Sequence, residues 1–184
     1  MHAVVADAKT HMQKAVEATK REFGGVRTGR ASPALLERVS VEYYGVPTPV
    51  TQVASVSVPE ARLLVIQPWD KSLIKEIERA ILKSELGLTP STDGAVIRLP
   101  IPPLTGDRRR ELVKVVHKQT EEGRVSIRNI RRDHREKLER LEKAGDLSKD
   151  DARRHQDELQ KLTDQYIKEI DTLLAAKEKE ISEV

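Results

Sequence analysis

Arginines recur at helical spacing in one segment of the chain. Arg124, Arg128, Arg131 and Arg135 are separated by four, three and four residues, so on an α-helix they form a single stripe. The guanidinium group is planar and permanently charged, and its donors match the geometry of phosphate oxygens and base edges. We interpret this stripe as a surface for an anionic polymer, with RNA favoured over an ordinary solvated helix face.

The distribution of charge supports this interpretation. Residues 108–135 hold ten Lys or Arg against four acidic residues, a balance of +6, whereas the whole chain carries +3. Toward the N-terminus the stripe continues through His117 and Arg110 and is interrupted by Glu121. Its C-terminal part contains no acidic residue, so we expect no ion pairs within the stripe to neutralise it.

The other polar residues do not form a pattern that predicts catalysis. The segment GGVRTGR at residues 24–30 lacks the GK[ST] ending of a phosphate-binding loop. The five histidines have no metal-binding spacing. His134 and His155 fall on the apolar seams of neighbouring predicted helices and could meet, but partly buried, hydrogen-bonded histidines are favoured over a metal pair. We therefore expect no enzyme activity, no metal and no cofactor.

Composition restricts the class of protein further. There is no cysteine, which excludes disulfides and thiolate chemistry. Neither an 18-residue apolar run nor an apolar signal segment is present, so we expect a cytoplasmic protein. Aromatic residues make up only 3% of the chain, which counts against single-strand binding by base stacking.

Three segments have the apolar periodicity of helices: residues 4–23, residues 107–143 and the segment after Ser148, which reads as a helix cap. Gly24 and Gly25 are expected to weaken or break the first helix. The second helix has an apolar arc composed of Gly123, Ile127, Ile130, His134, Leu138 and Leu141. The third has an apolar seam composed of Ala152, His155, Leu159, Leu162, Tyr166, Ile170 and Leu173.

Between the first two helices the periodicity changes from helical to alternating. Strands are predicted near residues 39–43, 52–58, 63–66 and 95–99, with turns at residues 45–47 and 59–60 and a helix at residues 71–84. The fold class is therefore α+β. Residues 1–29 and 106–184 are expected to form a three-helix bundle, and residues 30–105 an inserted β/α/β domain. The two crossings, at Arg30–Ala31 and Thr105–Gly106, would act as a pair of hinges.

Five segments of the chain resemble one known family. They are residues 27–33 (RTGRASP), 41–49 (VEYYGVPTP), 52–56 (QVASV), 102–105 (PPLT) and 128–133 (RNIRRD). In this order and at this chain length they are similar to the signature segments of bacterial ribosome recycling factors. The resemblance implies a three-helix bundle and a β/α/β domain joined by two hinges in an L shape.

The resemblance also implies a function. Members of this family bind the ribosome after the finished protein is released and, with elongation factor G and GTP, split it into subunits; the GTPase supplies the chemistry. The residues expected to bind large-subunit rRNA are basic residues of the bundle, one asparagine beside them and two arginines near the first crossing: Arg109, Arg124, Arg128, Asn129, Arg131, Arg132, Arg27 and Arg30. The factor is expected to be a monomer.

Two other hypotheses remain open from composition alone. A general RNA-binding helical module or RNA chaperone would bind unrelated RNAs comparably and would not depend on a GTPase. A coiled-coil scaffold that binds an acidic protein would oligomerise through the seam of residues 152–173, whereas an intramolecular bundle predicts a monomer.

Overall fold

The computed structural model describes residues 1–183, which form two compact units. The first comprises Met1–Arg27 and Gly106–Glu183, and the second comprises Thr28–Thr105. The combination of a helical unit with a unit that contains two small sheets confirms the predicted α+β class. None of the described helices is long and apolar enough to cross a membrane.

The first unit is a bundle of three helices: α1 (Ala3–Gly25), α4 (Gly106–Lys143) and α5 (Lys149–Glu183). Helix α1 includes Gly24 and Gly25 and ends at the second of them, so the expected break falls at the helix end and not inside it. Helix α5 begins with the predicted cap: the Ser148 hydroxyl accepts from the Asp151 amide at 3.1 Å and donates to the Asp151 carboxylate at 2.9 Å.

The three helices pack along stripes that repeat at steps of three, four and four residues. On α5 the buried positions are Ala152, His155, Leu159, Thr163, Tyr166, Ile170 and Leu174. Five of the seven predicted seam residues are buried on this stripe, while Leu162 and Leu173 are partly buried and pack against the core beside the buried Thr163 and Leu174. This repeat has about 3.67 residues a turn, close to an unstrained α-helix, whereas the heptad assumed for a coiled coil has about 3.5.

Helix α1 runs antiparallel to α4 and approaches it closely at Gly123. Asp7 lies beside His134, and Thr19 lies beside Gly123. A Cβ atom on Gly123 would lie 2.5 Å from the Thr19 hydroxyl oxygen and 3.1 Å from Ile170 Cδ1 of α5. Glycine at this position therefore lets all three helices meet, and this contact fixes their register.

The second unit contains two antiparallel sheets and one main helix. Strands β1 (Ser40–Tyr43) and β2 (Val46–Pro49) form a hairpin, and β3 (Ala54–Glu60), β4 (Leu63–Pro68), β6 (Ile97–Pro100) and β5 (Ser91–Thr92) form a sheet in that order. Helix α2 (Val50–Val53) is a single turn, and α3 (Ile74–Lys83) follows a 3-10 turn at Lys71–Leu73. A further 3-10 turn spans Pro33–Leu36.

Two of the predicted turns lie elsewhere. The β1–β2 turn is at Tyr44 and Gly45, whose φ angles of 50° and 74° are those of a tight two-residue hairpin. Residues 46 and 47 therefore belong to β2. Likewise, β3 continues through Glu60 because a bulge between Ser57 and Glu60 adjusts its pairing with β4. The core of this unit lies between the sheets and α3 and includes Leu36, Leu64, Ile66, Ile77, Ile81, Ile97 and Leu99.

Candidate nucleic-acid interface

The C-terminal half of α4 presents an arginine surface to solvent. A shallow depression of about 340 Å³ is lined by Val125, Arg128, Asn129, Arg131, Arg132 and Arg135, and we call these six residues the arginine surface. Because the apolar arc of α4 packs against α1 and α5, the opposite side of the helix remains in water. Three arginines of the predicted stripe, Arg128, Arg131 and Arg135, thus lie around one concave area together with the adjacent Arg132.

Two of these arginines have only neutral hydrogen-bond partners. Arg131 donates to the Gln160 side-chain oxygen at 3.3 Å, and Arg132 donates to the Asn129 side-chain oxygen at 3.3 Å. Within residues 1–183 neither guanidinium pairs with a carboxylate. Both therefore keep an uncompensated charge and spare donors, which is what phosphate binding requires.

The other two arginines of the surface make weak, exposed ion pairs. Arg128 lies 3.2 Å from the Glu121 carboxylate, and Arg135 lies 3.1 Å from that of Glu139. Pairs between solvent-exposed side chains contribute about 0–1 kcal/mol to stability. They are easily exchanged for a phosphate, because little free energy is lost when they separate.

Arg124 has a different environment. Its Nε atom donates to Asp171 of α5 at 3.0 Å, and its Nη1 atom lies 3.3 Å from Glu121. The side chain is 27% exposed. The hydrogen bond to Asp171 is the main reason why the pKa of Arg124 is raised above its usual value. The structure therefore places Arg124 in a contact between α4 and α5, where it holds the two helices together.

The expectation that no ion pair would neutralise the stripe between Arg124 and Arg135 is wrong: on α4 itself Glu121 pairs with Arg124 and Arg128, and Glu139 pairs with Arg135. Acids of α5 contribute as well. Asp171 and Glu178 of α5 face Arg124 and His117 respectively. Sequence reasoning considered acids on the same helix only, and these acids come from a neighbouring helix. It also missed Val125, a 42% exposed apolar residue among the guanidinium groups. Its sequence signal was a valine outside the apolar arc of the helix.

The remaining residues that were predicted to bind rRNA lie away from the arginine surface. Arg109 is partly buried near the start of α4, roughly 33 Å along the helix from Arg131 at about 1.5 Å per residue. Because α1 runs antiparallel to α4, the exposed Arg27 lies at the same end of the bundle as Arg109. Arg30 is exposed and belongs to the second unit.

The predicted hinge residues are not equivalent. Ala31 is buried in the core of the second unit, and its amide donates to the Ala61 carbonyl at 2.8 Å. It is therefore held within that unit. Gly106 is the first residue of α4, and Thr105 directly precedes the helix. Arg30 precedes Ala31 without regular secondary structure.

The two seam histidines contact α1. His134 bonds to Asp7 and lies near the ring of His11, with 5.7 Å between ring centroids. The ring of His155 lies 4.9 Å from that of His2. The suggestion that His134 and His155 would meet each other therefore gives way to two separate histidine pairs, each formed with the first helix.

Comparison with known proteins identifies the family. The family model described as "Ribosome recycling factor" matches residues 19–181. The ribosome-recycling factor of Desulforamulus reducens is 58% identical over 181 residues, which cover 98% of each chain. A solution structure of a ribosome recycling factor superimposes with a TM-score of 0.71 at 49% identity, covering 98% of this chain and 96% of that one.

A second solved structure gives a functional context for a relative. It shows the T. thermophilus ribosome recycling factor and E. coli elongation factor G bound to the E. coli post-termination complex. Its TM-score is 0.62 at 48% identity, with 97% of this chain and 96% of that chain covered.

The fold and the site together define a class of α+β proteins. In this class both ends of the chain form a three-helix bundle with an arginine surface, and a sheet-containing unit is inserted in the sequence between the first and second helices of the bundle. With the matches to sequence and structure added, the chain belongs to the ribosome recycling factor family.

Proposed function

We propose that this protein binds large-subunit rRNA through the arginine surface of α4 and, with elongation factor G and GTP, splits post-termination ribosomes into subunits. The single observation that carries the rRNA part is the pair Arg131 and Arg132, whose charges have neutral partners only. Family membership supports the recycling part. The relative bound with elongation factor G to a post-termination complex supports the choice of partners.

Within the proposed interface the residues have different roles. Arg131 and Arg132 would bind phosphates directly, and Arg128 would exchange Glu121 for a phosphate. Asn129 would orient Arg132, to which its side-chain oxygen already bonds. Arg124 would act indirectly by holding α4 against α5.

The remaining arginines extend the proposed interface. Arg109 and Arg27 would contact RNA at the far end of the bundle, roughly 33 Å along α4 from Arg131. An interface of this length suits a large, folded RNA better than a short oligonucleotide, because one short strand would not reach both ends. Arg30 would contribute from the second unit.

We further propose a division of labour between the units. The bundle, residues 1–29 and 106–184, would hold the factor on the large subunit, and the inserted unit, residues 30–105, would be moved by the GTPase. Bending would occur at Arg30 and Thr105, since Ala31 and Gly106 are held by the secondary structure or core of their own units. The chain would work as a cytoplasmic monomer, without a cofactor and without catalysing a reaction itself.

Light scattering of post-termination ribosomes tests this proposal. Scattering should fall only when this protein, elongation factor G and GTP are all present, since each omission removes a required component. The double variant Arg131→Ala, Arg132→Ala should require far more protein for the same effect. Arg154→Ala is the matched control, because Arg154 is an exposed bundle arginine outside the surface, paired with Asp151.

The outcomes separate the hypotheses. Constant scattering with the cognate GTPase, together with equal affinity for unrelated RNAs, would support a general RNA-binding module and refute recycling. Equal loss of activity in the double variant and in Arg154→Ala would refute the assignment of the interface. The burial of the α5 seam against α1 and α4 of the same chain supports a monomer over the scaffold hypothesis, which needs that seam to be available to a second copy.

A further inference from the structure

We propose that Asp7, His11 and His134 form a site for a divalent transition-metal ion, of which Zn²⁺ is the best match, that links α1 to α4. One ligand atom from each of these residues lies within 4.8 Å of the other two. Asp7 and His11 are four residues apart on one face of α1. His134 reaches them from the antiparallel α4.

Both histidines are oriented with the same ring atom toward a backbone carbonyl. His11 Nδ1 lies 2.9 Å from the carbonyl oxygen of Asp7, and His134 Nδ1 lies 2.7 Å from that of Ile130. A carbonyl oxygen can only accept, so Nδ1 carries the proton in each ring. In the neutral imidazole of His134, Nε2 then has the lone pair that would bind a metal, and a hydrogen bond of this kind is what orients histidine ligands in metal sites. His11 Nδ1 also lies 3.4 Å from Asp7 Oδ1, so the half-exposed His11 ring would rotate to turn a lone pair toward the ion.

The present contact between His134 and Asp7 also favours metal exchange. His134 Nε2 lies 2.8 Å from Asp7 Oδ2, a distance at which a proton must lie between the two atoms. A metal ion would replace that proton and use the same two lone pairs.

The surroundings of the cluster suit a partly buried site with one open position. The His134 side chain is 5% exposed, whereas those of Asp7 and His11 are 46% and 50% exposed. Two imidazoles and one carboxylate provide three protein ligands, and water would complete a tetrahedron, as Zn²⁺ prefers. One charged group opposes binding: Lys137 Nζ lies 3.4 Å from Asp7 Oδ2. Its half-exposed side chain is free to swing into solvent.

The proposal is independent of ribosome binding, because the three ligands lie between α1 and α4, outside the arginine surface. A bound ion would join two helices that are far apart in sequence. It would therefore stabilise the bundle through mass action, as any ligand of the folded state does.

Titration calorimetry of the full chain with ZnCl₂, after treatment with EDTA, tests the site. One equivalent should bind to the wild-type chain, and His11→Ala should weaken binding by at least about tenfold, as expected for loss of one ligand. Asp7→Asn should weaken it similarly. Lys137→Gln should tighten it, because the competing cation is removed. Since His11 is half exposed, its variant should remain folded, which circular dichroism would verify.

His2→Ala is the matched control, because His2 caps the N-terminus of α1 and its ring also faces a histidine of another helix. It should leave Zn²⁺ affinity unchanged. Zinc should also raise the melting temperature of wild type but not of His11→Ala. The proposal is overturned if the wild-type chain shows no saturable binding, if His11→Ala binds as tightly as wild type, or if His2→Ala weakens binding as much as His11→Ala does.

Discussion

The N-terminal half of the basic stripe on α4 and the arginine surface in the C-terminal half of the helix both present basic side chains, but their surroundings differ. In the N-terminal half, Arg124 is paired with Asp171 of α5 and His117 with Glu178. In the C-terminal half, Arg131 and Arg132 bond to neutral side chains. A periodic charge pattern therefore does not by itself distinguish a binding residue from a structural one, because the neighbouring helix decides which charges are neutralised.

The largest expected effect concerns the C-terminal half. Arg131→Ala should weaken ribosome binding by about 1–3 kcal/mol, which is typical for loss of a charge-assisted hydrogen bond. Its thermal stability should stay close to the wild-type value, since within residues 1–183 the one hydrogen bond that the Arg131 side chain loses is to Gln160. Filter binding to ribosomes and a thermal melt measure the two effects. Wild-type affinity would remove this residue from the interface.

Next in size is a change at the close helix contact beside Arg124. Gly123→Ala should destabilise the bundle by about 1–3 kcal/mol, because the added methyl group overlaps the Thr19 hydroxyl. The double variant Gly123→Ala, Thr19→Ala should recover part of this loss in urea denaturation. Gly24→Ala is the control: its Cβ would meet nothing within 4 Å, so it should be neutral or slightly stabilising. Equal effects at both glycines would contradict the close packing.

A smaller effect is expected for the N-terminal half of the stripe, whose basic side chains are paired with acidic residues. Arg124→Ala should lower the free energy of unfolding by about 0.5–1 kcal/mol, since its contact with Asp171 is only partly shielded from water. The loss should shrink in high salt. Ribosome affinity should fall much less than for Arg131→Ala. If Arg124→Ala reduced affinity more than stability, the distinction between the two halves would fail.

The smallest effect concerns an exposed ion pair in the second unit, between Asp93 and Arg98. Hydrogen bonds from Arg98, and then from the Val96 and Ala95 amides, hold the pKa of Asp93 at about 2. Because the folded-state pKa is below the usual 3.8, the stabilisation is present above about pH 4 and is lost as the pH falls toward 2. Arg98→Ala should raise the pKa of Asp93 in an NMR titration. An unchanged value would show that the two amides suffice.

Local signals in the sequence predicted much of the fold. The Ser148 cap was identified from residue type and spacing, and the structure confirms it through the hydrogen bond from the Asp151 amide. The apolar arc of α4 was also correct, with Ile127 and Leu138 fully buried. These features depend on residues only a few positions apart.

Features that depend on tertiary register were not predictable in the same way. Strand β2 contains Pro47 and Pro49, which locally suggest a turn, but pairing with β1 overrides that preference. The pairing of Arg124 with Asp171 spans 47 residues in sequence. To predict this pair from the sequence, one would need the alignment of α4 against α5. The repeat of three, four and four residues sets that alignment, and a heptad repeat would have given a different one.

The bundle helices come from opposite ends of the chain, and this has a consequence for folding during synthesis. Helix α1 is made first, yet its apolar face packs only on α4 and α5, which follow residue 105. The inserted unit has its whole core within Thr28–Thr105 and has no need to wait for them. On a translating ribosome the inserted unit should therefore fold first, while α1 remains a nascent amphipathic segment. The bundle closes last.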